Sequence, residues 1–426
     1  MATKNSQREV LVYAHWKGIN DPTLMGILRS VLTRGKEIFS FEYTKDWLSS
    51  GNVQNIDPDL QLFSGVQYLG EPKSNFGIFL DSSPDRWGRL LMRRREAVIA
   101  RAEKREPKNL YETDYLLGVF DGHRMGGIRF KEDEHGPFLN NNKEFASPPW
   151  TSLRELEHAS LQIEKDDFIN DPEYLKWLNM LIDPGSSLGG ARPKAGVLDN
   201  KNNLWIAKFP SRNDEKDIGA WEMVVHDLAI NAGLNISEAR IEKFHGRHHT
   251  FLTKRFDRTE QGERIHFASA MTLLGHNDGA DFKEGVSYLE FAEFLMKHGA
   301  NVEKDSEELW RRIVFSICVK NTDDHLRNHG FLLTKNGWML SPAFDINPVE
   351  TGTGLKLNIS ENDNSLDLSL AMDVAKYFRL NEKRASKIID EVKKSVSNWK
   401  TLAKKYKISA SEQEAMSRAF LERLNS

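Results

Sequence analysis

The sequence predicts an α+β protein with a β-rich N-terminal part, a small lobe of strands around one helix, and a mainly helical C-terminal lobe. Three observations carry that expectation. Alternating apolar residues, clearest at Phe39, Phe41 and Tyr43, mark strands near the N-terminus. A glycine-rich loop, two short strands, a helix and a hairpin follow one another between residues 185 and 256. Beyond Asp257-Arg258 the apolar residues switch to helical spacing.

The chain has 426 residues and a formal net charge of −3. That length allows two or three domains and a large core, and the near-neutral charge gives no global signature of nucleic-acid binding. The polar stretch from Lys131 to Pro149 is the clearest boundary, so we expect an N-terminal subdomain over 1–150, a small lobe over 151–258 and a helical lobe over 259–426. One cysteine, Cys318, cannot make an intrachain disulfide and reads as a buried thiol in an apolar run. The first residues hold no apolar signal core, and no run of apolar residues is long enough for a membrane span. A cytoplasmic protein without membrane attachment is the expectation.

In the N-terminal part, Val10–Trp16 and Ile38–Tyr43 read as strands, and Ser83-Pro84 reads as a helix start with Ser83 as the cap. The segment Arg86–Arg95 is basic and helical in pattern. It reads as a solvated helix face, with DNA phosphates or an acidic partner as alternatives. A second helix is expected within Tyr111–Phe120 and a strand at Gly126–Phe130.

The middle third holds Gly185-Ser186-Ser187-Leu188-Gly189-Gly190-Ala191-Arg192-Pro193-Lys194. Backbone N–H groups of such a loop could wrap a phosphate, although Ala191 stands where a Walker loop needs Lys. Alone it also reads as a plain connection. Strands are expected at Lys194–Leu198 and Asn203–Phe209, with Leu204, Ile206 and Lys208 on one face. A Lys on that face needs an anion if buried, or a strand edge from which to reach water. A helix from about Ile218 to Ala232 follows, with Glu222 in its first turns as a candidate partner for Lys208. Strands at Ala239–Phe244 and Thr250–Phe256 close the lobe. His245, His248 and His249 lie on the turn between them without the Cys or carboxylates of a metal site.

In the C-terminal third, a helix is expected at Tyr288–His298, and a second one started by an Asp305/Glu308 capping box. The second leads into Asn321-Thr322-Asp323-Asp324-His325-Leu326-Arg327-Asn328. A hairpin around Lys335-Asn336-Gly337 then delivers Asp345. An Asp five residues before an Asn, and a further Asp after an apolar strand, is the order in which protein kinases supply a base and Mg²⁺ ligands. The His325 to His329 spacing also suits a zinc hydrolase, but Leu326 replaces the general-base Glu. An acidic loop capping a buried helix is the remaining alternative.

These segments together resemble a known family. Ser187–Lys194, Ile206-Ala207-Lys208-Phe209-Pro210, Lys254-Arg255-Phe256-Asp257-Arg258, Asp323–Asn328 and Ser341-Pro342-Ala343-Phe344-Asp345 look like the HipA family, the serine/threonine kinase toxins of bacterial toxin–antitoxin modules. Ser83–Arg89 and Asp114–Phe120 resemble its first subdomain, so the likeness spans nearly the whole chain. It implies a bilobal protein-kinase-like fold and an ATP- and Mg²⁺-dependent kinase. Asp323 would be the base, and Asn328 and Asp345 would hold Mg²⁺. Lys208 would contact ATP phosphates, and Ser187, Gly189, Gly190, Ala191 and His325 would also bind the nucleotide. Lys254 and Phe256 would lie at the adenine, with Lys254 where the family often has Glu. Ser187 would be an inactivating autophosphorylation site. The implied partner is a HipB-like helix-turn-helix antitoxin that binds operator DNA, so that this chain meets DNA only indirectly. The implied substrate is a protein serine, with aminoacyl-tRNA synthetases as the class. A catalytically silent corepressor is the alternative reading.

Overall fold

The computed structural model describes residues 7–70, 72–165, 173–182, 192–244 and 246–420. The chain is a mixed α/β protein, as the patterning predicts. It forms two compact units, Met1–Ala207 with Asp257–Asn277, and Lys208–Phe256 with Asp278–Ser426.

The first unit is built on a five-stranded antiparallel sheet. Its spatial order is Val66–Tyr68, Lys36–Tyr43, Thr23–Thr33, Gln7–Ala14 and Ile128–Lys131. The central strand Thr23–Thr33 is absent from the sequence reading. Its alternation is broken at Gly26, and the structure gives the reason. A Cβ on Gly26 would lie 2.3 Å from the Phe41 ring of the neighbouring strand, so packing excludes a side chain there. Phe41, Phe79 and Phe130 form an aromatic layer over this sheet, with centroid separations of 5.7 and 5.9 Å.

The helix Arg86–Ala102 starts at Asp85, not at Ser83. The Asp85 carboxylate accepts the Gly88 N–H and also meets Lys194 Nζ at 2.7 Å, both side chains being buried. Ser83 instead donates its hydroxyl to Phe79 O. A distant cation therefore decides which residue caps this helix, which local spacing cannot reveal. The basic face of the helix is largely engaged inside the unit. Arg89 makes two hydrogen bonds to Glu112, Arg94 donates to Ile163 O and Tyr174, and Arg95 donates to Asn179. Arg86 and Arg93 remain exposed.

In the second unit, the helix Ile218–Asn231 packs its expected face inward through Trp221, Val224, Val225 and Leu228. Trp399 stacks on Phe420 at 4.6 Å, and Trp221 lies against both. The hairpin Ala239–Glu242 with Thr250–Lys254 is antiparallel. The long helix Val302–Cys318 begins at Asn301, one turn before the expected capping box. Asp305 is not its cap: its carboxylate accepts the Leu340 N–H, and Glu308 accepts the Asn235 N–H and pairs with Arg312. Both acids thus tie the helix to loop and strand ends far away in sequence. Cys318 is buried at its end, where burial pushes the thiol up to about 12. Among the described residues no helix is long and apolar enough to cross a membrane.

The first unit holds one unusual cation. Arg124 is fully buried and donates to the carbonyls of Ser82, Leu116, Val119 and Leu139 at 2.8–3.0 Å. Replacing it would remove a donor from four carbonyl groups, of which Val119 O keeps the Asn140 N–H. We expect Arg124→Met to cost about 3–5 kcal/mol of stability, read as a lowered denaturation midpoint in urea.

Candidate functional site

Lys208 ends its strand with its ammonium in the interior, 9% exposed. Two carboxylates meet it there. Glu222 Oε1 lies 2.5 Å away and Asp345 Oδ1 2.6 Å away. Burial alone would push the Lys208 pKa down, but the two acids outweigh it and hold it above the ordinary lysine value. The anions that the apolar strand face demanded are therefore supplied by the chain itself.

Glu222 is placed by the start of its helix. Asp217 caps that helix through the Ala220 N–H, and the same carboxylate accepts the His249 N–H and meets His249 Nδ1 at 2.6 Å. The helix approaches so closely that a Cβ on Gly219 would lie 2.2 Å from His249 O. This assigns His249 to a structural pair, while His248 Nε2 lies 3.1 Å from Asp214 O. His245 lies outside the described residues. Among the described residues no three His, Cys, Asp or Glu side chains gather as a metal centre.

Asp345 is placed by a pinned backbone. Ala343 bridges to Ile236 and donates its N–H to Asn235 O at 2.7 Å. Two residues later Asp345 takes φ +57°, a left-handed conformation that Asp tolerates better than most side chains. Lys208 and Asn347 both donate to its Oδ1.

The two acids of the loop separate by environment. Asp324 is buried; the Tyr288 hydroxyl donates to Oδ2 at 2.5 Å, and His329 Nε2 lies 2.9 Å from Oδ1. Burial would raise its pKa, yet His329 and the Tyr288 hydroxyl hold it below the ordinary carboxylate value. Asp323 is exposed. The loop does not depend on its carboxylate, because the groups that hold the turn, His325 N–H and Asn328 Nδ2, both donate to the Asp323 backbone carbonyl. An exposed acid on a rigid turn can take a proton from an incoming hydroxyl, and a buried acid locked under Tyr and His cannot. Leu326–Asn328 forms one 3₁₀ turn, with Leu326 and Asn328 buried.

The residues expected to hold Mg²⁺ fit a hard cation. Asn328 Nδ2 donates to a carbonyl, which can only accept, so the amide must turn its Oδ1 the other way. That oxygen is buried and has no hydrogen-bond partner among the described residues. An amide oxygen and a carboxylate are the neutral and charged oxygen donors that Mg²⁺ takes, with waters and phosphates completing its shell.

Other expected residues lie apart or out of view. Ser187, Gly189, Gly190 and Ala191 lie outside the described residues. Phe256 packs against Phe344, the residue before Asp345, at 5.5 Å. The Lys254 N–H donates to Glu238 O, so a backbone contact to a base must come from another group of that stretch. His325 is half-buried with a buried Nδ1 that lacks a partner among the described residues. Tyr288 and Asn347 escape the sequence reading as site residues, and only Asn347 carried a signal, two residues after Asp345; Asn321 enters it as the start of the loop and His329 through the zinc-hydrolase spacing, not as a partner of Asp324.

A family model described as the HipA-like C-terminal domain matches residues 186–399. A putative kinase of Haemophilus influenzae is 27% identical over 179 residues, covering 38% of this chain and 52% of that protein. The serine/threonine-protein kinase toxin HipA of Shewanella oneidensis is 26% identical over 267 residues, covering 56% of this chain and 60% of that protein. The chain thus matches between half and two thirds of the length of these curated relatives. A chain of a Shewanella oneidensis toxin–antitoxin complex of HipA, HipB and operator DNA aligns with a TM-score of 0.60 and 20% identity, over 96% of this chain and 94% of that chain, which establishes a shared fold. With half of its length under the family model and the two acids, the asparagine and the buried lysine in the expected order, this chain belongs to the HipA-like C-terminal domain family.

Proposed function

We propose that this chain is an ATP- and Mg²⁺-dependent serine/threonine protein kinase of toxin type. The observation that carries the reading is the buried Lys208 held between Glu222 and Asp345, beside a loop whose one exposed acid is Asp323. Phosphoryl transfer asks the protein mainly for positioning and charge, and these groups supply both. Mg²⁺, when bound with ATP, neutralises the phosphate oxygens. Asn328 and Asp345 would hold it, and Lys208 would face the phosphates while Glu222 keeps its ammonium in place. Asp323 orients the acceptor hydroxyl and takes its proton. The hydroxyl oxygen then bonds to the γ-phosphorus as the bond to the ADP oxygen breaks.

The acceptor is a protein serine, and Ser187 of the glycine loop is a second acceptor whose modification switches the enzyme off. A small helix-turn-helix antitoxin is the partner, through which the chain reaches operator DNA. The Shewanella complex, which contains HipB and operator DNA, supports that partner class. An aminoacyl-tRNA synthetase is the proposed target class.

Incubation with labelled ATP and Mg²⁺, followed by mass-spectrometric mapping, tests the reaction. Phosphate on Ser187 is expected, and wild-type protein that binds nucleotide without transferring phosphate would favour the silent corepressor instead. Asp323→Ala should abolish transfer with stability within about 0.5 kcal/mol of wild type, since the side chain is exposed and the turn is held by backbone. Asp345→Asn, which keeps a residue tolerant of the left-handed backbone, should abolish it too. Transfer retained in both variants would sink the assignment.

Lys208→Met should weaken ATP binding and lower stability by about 3–5 kcal/mol, because two acids lose their shared cation. Urea denaturation and nucleotide titration read the two effects separately. Glu222→Gln should be milder in stability, since Asp345 still meets the lysine.

A further inference from the structure

We propose that Asn347 belongs to the cation site, supplying a third protein oxygen donor to the divalent ion and fixing the Asp345 carboxylate. This rests on the kinase reading above and adds a residue to it.

The argument starts from an amide with its two ends distinguishable. Asn347 Nδ2 lies 3.2 Å from Asp345 Oδ1. An ionised carboxylate only accepts, so the amide must present its NH₂ group to it. The Asn347 Oδ1 then points away, and it is buried with no hydrogen-bond partner among the described residues. Leaving such an oxygen unmet costs about 1–3 kcal/mol. A partner that arrives with the ligand removes that cost. Phosphate oxygens are acceptors and would repel it, whereas a divalent cation takes an amide oxygen as a ligand.

Asn328 shows the same arrangement. Its NH₂ is pinned by the Asp323 carbonyl and its Oδ1 is likewise buried and unmet. Two amides, each locked by an acceptor-only group, thus keep an oxygen in reserve. Asn347 is tied to the catalytic loop as well, because its N–H donates to Asn321 Oδ1 at 3.3 Å, and Asn321 N–H donates to Ser316 O. The residue therefore joins the loop that carries Asn328 to the segment that carries Asp345. Lys208 and Asn347 both donate to Asp345 Oδ1, which sets the rotation of that carboxylate.

The test is Mn²⁺ binding, followed by electron paramagnetic resonance with a non-hydrolysable ATP analogue present, alongside analogue binding without metal. Asn347→Ala should weaken Mn²⁺ by about 10-fold or more, the range for lost supporting groups at metal sites, and leave metal-free analogue binding unchanged. Asn347→Leu, which keeps the size of the amide without its oxygen, should weaken Mn²⁺ binding alike, and it carries the test if the alanine variant does not fold. Equal Mn²⁺ affinity in wild type and Asn347→Ala overturns the role of Asn347 and leaves the kinase reading standing. Parallel loss of metal-free analogue binding marks a purely structural residue and also overturns it. Wild-type protein that binds neither Mn²⁺ nor analogue overturns both together.

Discussion

The buried ammonium of Lys208 is the constraint on which the second unit's site depends. A cation that is 9% exposed is tolerable only with anions in contact, and two are present at 2.5 and 2.6 Å. Each anion comes from a different element. Glu222 comes from the helix Ile218–Asn231 and Asp345 from the turn after the hairpin Gly330–Leu340. The lysine thereby fixes the distance between a helix and a turn that are remote in sequence. Removing either acid leaves a buried charge with half its compensation, which makes the triad mutually dependent.

Support for this triad reaches outward through polar contacts rather than through apolar packing alone. Asp217 and His249 hold the start of the Glu222 helix, and the Ala343 bridge to Ile236 holds the approach to Asp345. The same logic governs the loop. Tyr288 and His329 lock Asp324 inside, and that lock leaves Asp323 outside on a turn held by backbone. Two adjacent residues of the same type thus take different environments, and of the two only the exposed carboxylate is open to a hydroxyl from solution. A buried network of this kind is satisfied or it fails, and here its members restrict one another's rotamers.

Much of the element order was legible in sequence. The strands Lys194–Leu198 and Leu204–Lys208, the helix from Ile218 and the helix Tyr288–His298 follow from apolar periodicity and punctuation by Gly and Ser. Failures arose where a side chain answers to a distant partner. Asp85 caps its helix while holding Lys194, Asp305 serves the Leu340 amide instead of capping, and Gly26 yields its space to Phe41. In each case the local pattern pointed elsewhere because the deciding contact comes from another part of the chain.

The amino-acid sequence by itself determined the set and order of chemical groups: a lysine on an apolar strand face, a glutamate on the next helix, two acids and an asparagine in one loop, and an acid after a hairpin. Covalent order and side-chain chemistry need no folding to be read. Only the tertiary structure decided which of these groups meet. It brought Glu222 and Asp345 to one ammonium, buried Asp324 and exposed Asp323, and left the Asn328 and Asn347 oxygens without a donor among the described residues. Burial and hydrogen-bond satisfaction are properties of the packed chain, where long-range contacts set the dielectric and the partner of each polar atom.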